Sequence, residues 1–94
     1  MDDIKIGPIR FGVVKVVKLL DEEDSVKLDG CVTYSDSLIK VDSKLGEQKA
    51  RQVVWHEIVH VLLRQGSVEV PDVERLCEVL SYGIMQVLDD NEWT

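Results

Sequence analysis

The chain has 94 residues, 45% of them hydrophobic and 31% charged, a composition that fits one globular domain near the lower size limit for a single core. Its formal net charge of −7 argues against nucleic acid as a general partner, because phosphate backbones attract basic faces. No apolar run approaches the ~18 residues that a bilayer span needs, and the acidic start "MDDIKIG" lacks the basic and apolar regions of a signal peptide, so the expected location is the cytoplasm with no membrane partner.

In chain order, "IKIGPIRFGVVKVVKLL" is dense in β-branched residues and is broken by Gly7-Pro8. This predicts a hairpin between residues 4–6 and 9–17, with Gly12 suited to a bulge. The acidic run "DEEDS" at 21–25 predicts a solvated loop. "CVTYSDSLIKVD" holds two alternating runs, 31–35 and 38–42, joined at Asp36-Ser37, which predicts a second hairpin. A helix is expected from Gly46 or Glu47 to about Arg64, stopped by Gly66. Another should start at Pro71 or Asp72 and end near Asp90, directing Leu76, Leu80, Ile84, Val87 and Leu88 at the core. The expected fold is therefore α+β, a small antiparallel β-sheet of about four strands followed by two helices. One domain would span 1–94, with 1–43 as its β-rich part and 46–65 and 71–90 as its helical segments. Cys31 and Cys77 lie far apart, match no metal-binding pair spacing, and are expected to act as small hydrophobes.

The stretch "VVWHEIVHVLL" at 53–63 is apolar on every side of a helix except at His56, Glu57 and His60. Burying two imidazoles and a carboxylate there costs several kcal/mol, on the order of 2–7 per group, unless each is paired or bound. His56 and His60 are four apart, so a helix stacks them on one face, where both reach a single ion. Glu57 lies about 100° further round, placed to take a proton from a water that the ion activates. This is the H-E-x-x-H arrangement of zinc hydrolases, and these are the only two histidines of the chain. By composition the spacing arises by chance roughly once in several hundred such chains.

A catalytic zinc keeps three protein ligands and an open position. With no histidine left, the third is a carboxylate or a cysteine. Glu74 and Glu78, one turn apart on the second helix, both qualify, while Glu69 and Asp72 are less well fixed.

"SKLGEQKARQVVWHEIVHVLL" followed by "CEVLSYGIMQVLDDN", with "SLIKVD" leading in, resembles the small metallopeptidase-like proteins of phages and prophages. These are related to the ImmA/IrrE group of zinc metallopeptidases. The resemblance covers roughly the C-terminal two thirds of the chain. It implies a minimal zincin-like core with a gluzincin site, and it places the third ligand at Glu78, with Gly83 and Gln86-Val87-Leu88 in register. Tyr82 departs from the pattern, which commonly has Asn or His there; it would orient Glu78, stabilise an oxyanion or merely pack.

The expected function is zinc-dependent peptide-bond hydrolysis, with metal ligands His56, His60 and Glu78 and with Glu57 as general base. The substrate would be a cytosolic protein or peptide, a regulator by the resemblance, lying along a sheet edge for which Leu38–Asp42 is the candidate. Tyr34 and Tyr82 are the neutral donors available to an oxyanion, and each also suits a packing role, as does Trp55. The alternative is a zinc-binding protein-interaction domain with little hydrolysis. A purely structural zinc site is disfavoured, since it needs closed ligation and no spare base such as Glu57.

Overall fold

In the computed structural model, which describes residues 3–21 and 26–92, strands β1 (Asp3–Ile6) and β2 (Ile9–Val16) form the first hairpin. Gln65 Nε2 donates to the carbonyl of Ile6 at 2.8 Å and ties this turn to the end of a later helix. The ladder runs unbroken from Asp3↔Gly12 to Ile6↔Ile9, so Gly12 is a paired residue and not the expected bulge. Strands β3 (Gly30–Thr33) and β4 (Leu38–Asp42) form the second hairpin. Residues 22–25 of the acidic run lie outside the described residues.

The sheet order is β1-β2-β4-β3, and the central β2–β4 pair is parallel. The α+β arrangement is as expected, but the sheet is mixed where an antiparallel one was predicted. The reason lies in the connection over residues 17–29, which carries the chain past β2 so that the second hairpin docks by its returning strand. β4 is consequently interior and offers no edge to a substrate; β3 takes the sheet margin instead. Asp42, buried at the end of β4, anchors the crossover by accepting from the backbone N–H groups of Lys44 (2.9 Å) and Leu19 (3.1 Å). The Lys44 N–H above all holds its carboxyl below the usual range, against the opposing effect of burial.

Helix α1 (Glu47–Gln65) packs its Val53, Ile58 and Val61 onto Ile6, Phe11, Ile39 and Val41 of the sheet, and these residues form the core. Trp55 is half-buried against this cluster, in keeping with a packing role. Helix α2 (Val73–Asp90) begins at Asp72, whose side chain accepts from the Arg75 N–H at 3.2 Å as an N-cap. It lies against α1, and the residues it buries are Cys77 and Ser81. Leu80 and Val87, expected in the core, are instead 41% and 42% exposed. The other three of that set, Leu76, Ile84 and Leu88, are half-buried, and Glu74, Glu78 and Ser81 make the polar contacts to α1. No helix among the described residues is long and apolar enough to cross a membrane.

Candidate metal centre

His56 and His60 stack one turn apart on α1, with ring centroids 4.9 Å apart and Nε2 atoms 3.2 Å apart. Glu74, in the first turn of α2, reaches both of these nitrogens, with Oε2 3.1 Å from His56 Nε2 and Oε1 2.7 Å from His60 Nε2. Glu78, one turn further along α2, lies on the other side of the His56 ring, where its Oε1 accepts from Nδ1 at 2.8 Å. The two carboxylates that the sequence could not separate thus have different positions. Glu74 stands at the point where the imidazoles converge, and Glu78 stands behind one of them.

Both ring nitrogens of His56 thus face a carboxylate, Nδ1 that of Glu78 and Nε2 that of Glu74. With Nδ1–H of His56 donating to Glu78, the neutral ring presents a lone pair at Nε2. That lone pair faces His60 Nε2 and the Glu74 carboxylate, so electron-pair donors converge on one point. Extra protons or a cation must compensate them. Donor atoms bound to one tetrahedral zinc at ~2.0–2.1 Å stand about 3.3 Å apart. The 3.2 Å between the nitrogens is near that separation, while Glu74 meets them through different oxygens, Oε2 at 3.1 Å from His56 and Oε1 at 2.7 Å from His60, so these donor types suit the ion.

Behind Glu78 lies a buried polar chain that connects the two helices. Gln52 Nε2 donates to Glu78 Oε1 at 2.9 Å and to Ser81 Oγ at 2.8 Å, and Ser81 Oγ donates to the Glu78 carbonyl at 2.8 Å. Burial alone would raise the Glu78 pKa, but the bonds from His56 and Gln52 outweigh it and hold the carboxyl below its usual range. Gln52 and Ser81 are themselves almost wholly buried. Sequence reasoning missed Gln52. Its signal was a polar residue four before His56, on the same helical face and next to an apolar run.

Glu57 is buried at 8% exposure and lines both lobes of a cleft between α2 and the β3 margin. The larger lobe, about 500 Å³, has His56, Glu74 and Glu78 on its wall; the smaller, about 360 Å³, has His60, Tyr34 and Glu74. Burial pushes the Glu57 carboxyl up to about 7; His56 opposes this, and Glu74 and Glu78 add to it. Gly30 of β3 allows the strand to approach: a Cβ there would collide with Val53 Cγ1 and stand 3.4 Å from Glu57 Oε2. Tyr34 faces the cleft beneath the Arg64 guanidinium, which sits 3.9 Å from its ring centroid. Tyr82 is exposed and accepts from Lys49 Nζ at 3.2 Å, so its contact is with Lys49 and not with Glu78.

Cys77 is fully buried beside the histidines, and one donor atom each of His56, His60 and Cys77 lies within 4.8 Å of the others. Burial, with Glu74, Glu57 and Glu78 adding, pushes its thiol up to about 11. Glu74 is nearer to both imidazoles and needs no such deprotonation, which makes it the better third donor. Cys31, half-buried, lines the smaller lobe. Compared with family models, curated proteins and solved structures, the chain matches none of them.

Proposed function

We propose that this chain is a minimal zinc-dependent peptide-bond hydrolase, with His56, His60 and Glu74 as metal ligands and Glu57 as general base. The observation that carries this reading is the convergence of the two Nε2 atoms and the Glu74 carboxylate on one point, at the wall of a cleft that a buried carboxylate shares. Glu78, which the family resemblance suggested as a ligand, is assigned to His56 Nδ1, where it fixes the tautomer and orientation of the ring. Held by these residues, a zinc ion would supply Lewis acidity toward a peptide carbonyl and a water. Glu57 would take a proton from the attacking water as its oxygen bonds to the carbonyl carbon, and give that proton to the nitrogen as the C–N bond breaks. The substrate is a protein or peptide that lies extended along the β3 margin, beside the cleft that Glu57 lines. Tyr34, which lines the smaller lobe, is the neutral donor we assign to the developing oxyanion.

The test is hydrolysis of an unfolded polypeptide by the zinc-loaded chain. Cleavage should stop on chelation and return when zinc is added back. Zinc that binds without any cleavage across a panel of unfolded and folded proteins selects the other reading, a zinc-binding interaction domain.

A further inference from the structure

The cleft beside the metal centre differs in chemistry from one end to the other. Its two lobes follow one another along both β3 and α1: the larger is lined from 27–30 and 49–57, the smaller from 28–34 and 57–60. Glu57 and Glu74 line both, so the general base and the third ligand stand at the junction. Three cations converge on the larger lobe from three elements: Lys27 from the 17–29 connection, Lys49 from α1 and Arg75 from α2. None of them forms an ion pair among the described residues, and Lys49 Nζ donates at 3.2 Å to a neutral group, the Tyr82 hydroxyl. Arg75 stands in the first turn of α2, where the helix dipole disfavours a cation, so the helix itself does not account for it. Of the carboxylates on this wall, Glu57, Glu74 and Glu78 belong to the metal centre, which leaves Asp29 against the three cations. No lysine or arginine lines the smaller lobe, whose β3 wall is Cys31, Val32 and Tyr34; Arg64 stacks on the Tyr34 ring and stays outside the lining.

Resting on the hydrolase reading of this same cleft, we propose that its substrates are acidic–apolar peptides, with an Asp or Glu side chain in the larger lobe and a large apolar side chain in the smaller, one on each side of the scissile bond. A chain extended along the β3 margin passes from one lobe to the other at the junction, where the metal ligands and Glu57 stand. Successive side chains of an extended chain point to opposite faces, so each selected residue falls within two positions of the bond. Lys27, Lys49 and Arg75 are the specificity-determining residues on one side, and Val32 and Tyr34 on the other. The field of the whole chain works against this choice, because a net charge of −7 attracts basic peptides. A preference for acidic ones therefore has to come from the local cations.

Binding and cleavage are measured separately on short dye-labelled peptides capped at both ends, with Glu, Gln or Lys on one side of the central bond and Leu on the other, in both orders. Fluorescence anisotropy with zinc-loaded Glu57→Gln should rank Glu over Gln over Lys in one order, with about tenfold in affinity between first and last at low salt. The difference should vanish near 1 M salt, where the screening length falls to about 3 Å. Replacing the Leu by Ser should weaken binding about tenfold. Adding Lys27→Glu with Arg75→Glu should reverse the ranking; a glutamate suits the first turn of a helix, so this variant keeps its fold. Lys5→Glu with Lys44→Glu, the same change of charge outside the cleft, should leave the ranking as it is. Failure to bind any of the peptides overturns the inference, as does Lys bound as well as Glu, or a ranking that Lys27→Glu with Arg75→Glu does not move. Ranked binding with no cleavage by the zinc-loaded parent overturns the hydrolase reading and upholds the peptide preference. Cleavage at equal rates whichever of Glu, Gln or Lys is present does the opposite.

Discussion

Glu74→Ala is expected to abolish stable zinc binding, whereas Glu78→Ala weakens it without abolishing it. The expectation follows from position: Glu74 reaches both Nε2 atoms, and Glu78 reaches only the Nδ1 of His56. Loss of a carboxylate behind a ligand histidine typically costs ~10–100-fold in metal affinity, because the ring loses its preferred tautomer and orientation. Glu78→Ala should fall in that interval. Gln52→Leu should produce a smaller loss in the same direction, since it removes the amide that holds Glu78. Glu74→Ala should exceed the interval, because it leaves the ion two protein ligands instead of three. Competition titration with a zinc chelator measures all three. If Glu78→Ala loses zinc outright and Glu74→Ala retains it, the two assignments exchange.

Glu57→Gln should keep zinc and lose hydrolysis by about 100- to 10,000-fold, the usual contribution of a positioned general base, or ~3–5 kcal/mol of barrier. The same substitution should alter the stability of the metal-free chain in a pH-dependent way. The folded chain holds the Glu57 carboxyl at about 7, above its ordinary 4.5, chiefly because of burial. Folded protein therefore binds this proton more tightly than unfolded protein does. Its destabilising effect is absent below pH 4.5, grows through the interval and is complete above pH 7, where it amounts to roughly 3 kcal/mol. Metal-free Glu57→Gln should match the parent at pH 4 and exceed it in urea denaturation at pH 8. Equal stability of the two proteins at pH 8 would show that Glu57 is not desolvated.

What the sequence made legible follows from the range of the interactions involved. The hairpins and both helices depend on local periodicity and turn residues, and their boundaries fall within one or two positions of expectation. His56, Glu57 and His60 are equally local, since one helical turn determines their mutual geometry. Glu74 and Glu78 are not. They share a stripe, and only the packing of α2 on α1 decides which meets the imidazoles and which meets Nδ1. The strand order is non-local in the same way. A hairpin pattern does not say which of its two strands docks on β2, so β4 looked like an edge and became the interior. Leu80 and Val87 were expected inside because their spacing is that of a core stripe. How far round α2 that stripe is covered depends on the packing of α2 on α1, which half-buries Leu76, Ile84 and Leu88 and leaves Leu80 and Val87 exposed.

The most direct measurement is zinc K-edge X-ray absorption on the chain purified with one equivalent of zinc. Imidazole scattering from His56 and His60 with an oxygen at ~2.0–2.2 Å and no sulfur shell is the predicted result, and the oxygen signal should diminish in Glu74→Ala. Failure to retain zinc at all, or a sulfur at ~2.3 Å that marks Cys77 as the third ligand, would contradict it.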